Sequence, residues 1–317
     1  MPSASIAVVT DSAAGIPASL LQTFNIQVVP YYVHLGDTSY VSGVDIQPET
    51  FFQKLRAAPS MPVKTGIPSV AKFLEVYQQL ARWAKGIVSV HVAGNQSGTC
   101  NAAELAGRES PIPVAVVDTE TTAMAEGFMV LLAARAAKAG ETLGEIVSQV
   151  TAAVPHANVF ALLESVSYAL QGGRLSAAAG RVGSMLNIQP LIRVHSNRVS
   201  LVGQVRRRSK GLRALIDRVV DDVRDDPVHL TVHFAEDEDE GRRTLDELKS
   251  KINCVEHYLT RVPVELGVHA GPGSIGIAYY IERDTLGLRE QIGKLGIQAK
   301  QAILSHLPVQ TQDSNDS

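Results

Sequence analysis

The residues of this chain that could do chemistry cluster around one small-residue turn. Residues 86–92 read Gly-Ile-Val-Ser-Val-His-Val, an apolar run of strand length, and 93–104 continue Ala-Gly-Asn-Gln-Ser-Gly-Thr-Cys-Asn-Ala-Ala-Glu into helix formers. Gly94 and Gly98 let the backbone bend and come close to a ligand. Ser97 and Thr99 add hydroxyls, and the amides of a starting helix carry partial positive charge, so the stretch suits an anion. A plain helix N-cap by Asn95 or Ser97 accounts for the same residues. Asp11 and Ser12 stand at the carboxyl end of the first apolar run, where open α/β sheets bind ligands; capping of the next turn is the other reading. Thr65 lies in a loop over 61–69 stiffened by Pro62, Gly66 and Pro68. His269 ends an apolar run at the lip of Gly271-Pro272-Gly273, where few neighbouring side chains stand between its ring and a ligand. Arg174 follows Gly172-Gly173, and Arg206 opens the cluster Arg206-Arg207-Arg208-Ser209-Lys210; such charge is either solvated surface or a site for an acidic partner or phosphate.

These groups need elements to hold them, and the hydrophobic pattern supplies an alternating series. Strands are predicted over 6–10, 26–34 (with Pro30 as an edge or bulge), 86–92 and 114–118. Helices are predicted from Pro17 to 24, from Pro48 to 55, from a Ser69 cap to 84, after Gly98, over 123–139, and from a Thr142 cap to 154. This order predicts an α/β fold with a parallel sheet covered on both faces. In the second half, strands are expected over 159–163, 188–195, 199–205, 228–235, 262–268 and 277–281, with a turn at Asn197-Arg198. Helices are expected over 164–170, 177–186, 210–222, from Asp237 to 252 and over 286–304, and 309–317 reads as a polar tail.

Composition removes several classes. The 317 residues carry 29 basic and 32 acidic side chains, a net charge of −3, which calls for neither nucleic acid nor a membrane surface. Aromatic residues are 5%, too few for base-stacking platforms. Two cysteines, Cys100 and Cys254, make no disulfide framework and fit a reducing cytoplasm. The chain shows no signal-type start and no apolar run long enough to span a bilayer. There is no G-x-G-x-x-G after the first strand, no P-loop, no C-x-x-C, no H-E-x-x-H and no G-x-S-x-G elbow.

Taken together, six ordered motifs resemble the DegV family of fatty-acid-binding proteins, which includes the binding subunit of bacterial fatty-acid kinase. They run from Val8-Val9-Thr10-Asp11-Ser12, through Val29-Pro30 with Val44-Asp45-Ile46, Lys64-Thr65-Gly66-Ile67-Pro68-Ser69, Ser97-Gly98-Thr99 with Val117-Asp118-Thr119, and Gly172-Gly173-Arg174-Leu175, to His269-Ala270-Gly271-Pro272-Gly273. The resemblance covers nearly the whole chain. It implies a two-domain DegV-like fold: an N-terminal parallel-sheet α/β domain over 1–154, a C-terminal α/β domain with a mixed sheet over 155–307, and a disordered tail over 308–317. It implies that Thr65, Ser97 and His269 meet a fatty-acid carboxylate, with Gly98, Asp11 and Ser12 beside them, and that Arg174 and Arg206 dock a kinase catalytic subunit. No metal, cofactor or catalytic nucleophile is implied, only a bound fatty acid. The chain departs from the family pattern at Gly66 and Ile67, where a polar pair is usual, at Ala93, Gly94 and Gln96 ahead of Ser97, and at Cys100 in place of Tyr. These departures bear on tunnel shape and chain-length preference.

A long acyl chain fits the physics, because each buried methylene contributes about 0.8 kcal/mol. The desolvated carboxylate then needs several donors, which two hydroxyls, a histidine and helix-start amides could provide. Tunnel walls are expected from the apolar segments 161–166 and 177–188. Two other readings use the same residues: a lipid hydrolase or acyltransferase with Ser97 as nucleophile, His269 as base and Asp11 orienting it, and a lipid sensor in regulation.

Overall fold

A computed structural model describes residues 5–174 and 188–283. Its first half contains strands β1 (Ile6–Asp11), β2 (Gln27–Val29), β3 (Tyr32–Leu35), β4 (Thr38–Val41), β5 (Val63–Gly66), β6 (Gly86–His91) and β7 (Val114–Asp118). Helices α1 (Ala18–Thr23), α2 (Pro48–Ala57), α3 (Val70–Leu80), α4 (Thr99–Arg108), α5 (Ala123–Lys138) and α6 (Leu143–Ala153) are set between and after them. The second half holds β8 (Ala157–Leu162), α7 (Val166–Gln171), β9 (Gln189–His195), β10 (Arg198–Val205), α8 (Arg208–Val223), β11 (Val228–Phe234), α9 (Glu238–Lys249), β12 (Cys254–Arg261), α10 (Val264–Ala270) and β13 (Ile275–Ile281).

The alternating pattern of the first half forms the parallel sheet it predicts, in the order β2-β1-β6-β7. The six residues of β1 and of β6 are all buried, as strands covered on both faces should be. The second half forms a six-stranded mixed sheet, β10-β9-β8-β13-β11-β12, antiparallel except for β11 and β12. Helix caps fall where the sequence puts them: Ser69 accepts from Lys72 N, Thr142 and Glu145 close a capping box, and Asp237 accepts from Glu240 N.

α5 ties the two sheets together. Twelve of its sixteen residues are buried, and it contacts β1 and β6 of the parallel sheet as well as β8 and β13 of the mixed one. An apolar surface on every side of a helix is the mark of one packed all round. Among the described residues, one hydrophobic cluster accordingly runs from Val8 and Val88 through Met124 and Met129 to Val159 and Ala278.

Three expectations are corrected. The strand expected over 26–34 is two strands, β2 and β3, separated at Pro30 and belonging to different sheets. Proline cannot donate to a ladder, so the chain changes partners there. The stiffened loop around Thr65 is a strand: β5 pairs with β3, Thr65 opposite Val33, in a three-stranded antiparallel sheet β4-β3-β5. The strand expected over 262–268 is helix α10, with Pro263 as its N-cap. Val264, Gly267 and Val268 are buried, and the two valines pack with Phe51, Phe52 and Leu55. Glu265, Leu266 and His269 face a cavity instead. That is 3.6-residue periodicity, which a run this short does not reveal. The expected helices over 177–186 and 286–304, most of the wall segment 177–188, and the tail lie outside the described residues.

Candidate functional site

The cavity lies at the carboxyl ends of β1 and β6, between the parallel sheet and the mixed sheet, and has a volume of about 1080 Å³ including its open mouth. Strand alternation decides what lines it. Val159, Ala161 and Leu163 of β8 and its exit face the cavity, while Phe160 and Leu162 face α8 and the core beneath. Ile192 and Val194 of β9 repeat the arrangement, with Leu191 on the opposite face. Of the wall expected over 161–166, Ala161 and Leu163 line the cavity.

The polar lining brings together residues far apart in the chain. Thr65 from β5, Ser97 from the turn before α4, and His269 from α10 all contribute, as do Gln96 and Arg174. Gly98, the N-cap of α4, lies behind Ile67, whose Cδ1 would be 3.3 Å from a Cβ at that position. This contact carries the end of β5 onto the start of α4 and so sets Thr65 near Ser97. Asp11, Ser12 and Arg206 are not among the lining residues. Asp11 is buried and accepts from Ala13 N, Val92 N and His91 Nδ1. Ser12 Oγ accepts from Tyr31 N. Arg206 is exposed at the end of β10.

Ser97 stands in a triangle of hydroxyls. Tyr31 Oη is 2.5 Å from Ser97 Oγ and 2.6 Å from Thr99 Oγ1, and the two side chains of the turn are 2.8 Å apart. Burial, and after it the charge of Asp11, holds the Tyr31 phenol well above its usual range, so it stays a donor. If Tyr31 donates to Ser97, the Ser97 proton is free for an acceptor in the cavity. Ser97 N donates to the Ala93 carbonyl, so this amide does not face a ligand. Sequence reasoning missed Tyr31 because its place beside Ser97 is set only when β3 and α4 meet.

His269 Nδ1 is buried without a hydrogen-bond partner. Burial first, and the neighbouring Arg174 charge second, lower its pKa to about 4, leaving a neutral ring with a polar atom in need of a partner. The ring rests on Gly172, where a Cβ would lie 1.8 Å from Nδ1. Arg174 is anchored by donating to the Gln96 and Gly172 carbonyls. The Gly-Gly-Arg motif thus makes room for the histidine with its first glycine, takes a left-handed turn at Gly173 (φ 71°), and sets a cation beside both. The β9–β10 turn closes the same rim: Asn197 receives Asn95 N and donates to Asp118.

The expected orientation of His269 by Asp11 is not what the fold builds, because Asp11 Oδ2 is 3.0 Å from His91 Nδ1 instead. Among the described residues no cluster of His, Cys, Asp and Glu could hold a metal ion, and no helix is long and apolar enough to cross a membrane.

A parallel sheet and a mixed sheet flanking an apolar cavity with a polar rim define a two-sheet α/β protein. The chain belongs to the DegV family: the family model described as "Uncharacterised protein, DegV family" matches residues 5–282. A DegV domain-containing protein of Streptomyces coelicolor is 34% identical over 274 residues, 86% of this chain and 97% of that one. A DegV family protein of Thermus thermophilus, whose structure is described as fatty acid binding, superposes with a TM-score of 0.81 at 27% identity over 88% of this chain and 100% of its own. DegV of Bacillus subtilis, described as a fatty acid binding protein, shares the fold with a TM-score of 0.80 at 24% identity, again over 88% and 100%.

Proposed function

We propose that this protein is a cytoplasmic carrier that binds a long-chain fatty acid and presents it to a separate kinase for acyl-phosphate formation, without turning it over itself. The observation that carries the reading is that Thr65, Ser97 and His269, 204 positions apart at the extremes (269 − 65), line one cavity whose remaining wall is largely aliphatic. About ten buried methylenes would contribute roughly 8 kcal/mol, enough to offset much of the freedom lost on binding. The carboxylate would sit at the rim, taking hydrogen bonds from the Ser97 and Thr65 hydroxyls and from His269, with Arg174 as nearby counter-charge. The fatty-acid description of the Thermus thermophilus relative supports the same ligand class. Asp11, Ser12 and Gly98 act in this reading from behind the wall, by holding Tyr31 and the α4 turn. The division of the chain into domains at residues 154 and 155 belongs to the same proposal.

Two measurements test it. In a titration of delipidated protein with palmitate, Ser97→Ala and Thr65→Val should each weaken binding about tenfold, the loss expected for a hydrogen bond to a charged group. Unchanged affinity in both would remove the carboxylate from this rim. In a reconstituted kinase reaction, Arg206→Ala should keep its lipid yet lower acyl-phosphate formation several-fold, because the arginine is exposed and away from the cavity. A wild-type rate would discard its docking role. Arg174 serves less well for that purpose, since it lines the cavity and acts on His269.

A further inference from the structure

A saturated acyl chain leaves two polar groups of this cavity unanswered. Glu265 precedes His269 by four residues on α10, so the two share a helix face and both line the cavity. Glu265 is 2% exposed. Ser42 Oγ donates to its Oε2 at 2.5 Å. Its Oε1 is buried with no hydrogen-bond partner. Arg174 is the one Lys or Arg among the described lining residues, and it is placed on Gln96 and Gly172 rather than on Glu265. Burial, with Asp11 as a lesser cause, raises the Glu265 pKa and favours the neutral acid, which both donates and accepts. Thr122 Oγ1, at the N-cap of α5, is a second buried and unpartnered oxygen of a lining residue. An all-methylene ligand would cover these oxygens without satisfying them.

We propose that the fatty acid suited to this cavity carries a hydroxyl group on its carboxyl-proximal carbons, and that Glu265 is the residue that recognises it. The inference rests on the fatty-acid reading above. One helical turn separates Glu265 from the residue assigned to the carboxylate, a rise of about 6 Å. An extended chain advances roughly 1.2 Å per bond, which places the hydroxyl within about the first seven carbons. There the ligand hydroxyl would donate to, or accept from, Glu265 Oε1, a hydrogen bond that neither a saturated chain nor a terminally hydroxylated one can make.

The test is a titration of the delipidated full-length protein with palmitic, 3-hydroxypalmitic, 5-hydroxypalmitic and 16-hydroxypalmitic acids. The wild type should prefer the 3- or 5-hydroxy acid over palmitic and 16-hydroxypalmitic acids by about tenfold. Glu265→Leu should bring that ratio close to one while palmitic acid binds at least as well as before, and Glu265→Gln should keep part of the preference. Palmitic acid binding the wild type as tightly as every hydroxylated acid would overturn the inference and leave the fatty-acid reading standing. Failure to bind any of the four would overturn both. A wild-type preference retained in Glu265→Leu would overturn the assignment to Glu265. Should that variant not fold, the wild-type series alone still decides the ligand class.

Discussion

Asp11→Ala is expected to lower the unfolding free energy by about 3–5 kcal/mol, because three buried donors lose their acceptor, Ala13 N, Val92 N and His91 Nδ1, at about 1–3 kcal/mol each. The midpoint of thermal unfolding should fall on the order of 10 °C. Asp11 ends a series that begins at Tyr77: Tyr77 Oη lies 2.8 Å from Ser89 Oγ, Ser89 Oγ 2.7 Å from His91 Nε2, and His91 Nδ1 3.0 Å from Asp11 Oδ2. With Asp11 accepting, His91 carries its proton on Nδ1, Ser89 donates to Nε2, and Tyr77 donates to Ser89, so every donor is satisfied. All four residues are buried, and Phe73 meets the His91 ring edge-on with centroids 5.1 Å apart. Alanine at position 11 would strand the imidazole and also the amides of Ala13 and Val92. Asp11→Asn should recover part of the loss. The serine, histidine and aspartate have the connectivity of a catalytic triad, yet they are buried on strands β1 and β6 of the parallel sheet and none lines the cavity. A destabilisation below about 1 kcal/mol, read by urea denaturation, would refute this account of the network.

Gly172→Ala is expected to weaken palmitate binding roughly tenfold to a hundredfold, by displacing the His269 ring from the rim. The new methyl would lie 1.8 Å from Nδ1 and 2.7 Å from Cε1. Either the backbone or the imidazole must give way. The backbone at the end of α10 is held, because Gly271 takes φ 81° and ψ 168°, a conformation reserved for glycine, and lies against the Tyr168 ring. The ring is therefore what moves. Gly173→Ala is the control. It meets nothing within 4 Å but sits at φ 71°, so it should cost about 1 kcal/mol of stability and leave palmitate affinity close to wild type. Equal binding by wild type and Gly172→Ala would show that His269 contributes nothing to the ligand.

The two predictions fall on different parts of one motif set. Asp11 belongs to the first strand–turn motif and works as a structural group, holding β1, β6 and the turn after each together. Gly172 belongs to the Gly-Gly-Arg motif and works on the site, through a histidine about a hundred residues away in sequence. The small side chain at 172 is needed only because α10 delivers an imidazole there.

Elements whose signals are local were legible in the order of residues alone. Alternating apolar runs and helix formers defined the α/β order and the parallel sheet; Ser69, Thr142 and Asp237 capped the helices they precede; Asn197 turned the hairpin. The spacing of short motifs carried the family resemblance. Tertiary structure decided what depends on a second segment. Thr65 is on a strand because β3 was there to pair with it, and 262–268 is helical because Val264 and Val268 found Phe51 and Phe52 on α2. Whether Ala161 or Leu162 faces the cavity is a matter of which side of β8 is covered by α8, and whether Asp11 serves His91 or His269 is a matter of which ring the fold brings within reach. Local propensity and period are carried by neighbours in sequence, whereas a cavity wall and a buried hydrogen bond exist only once distant segments share a boundary that water has left.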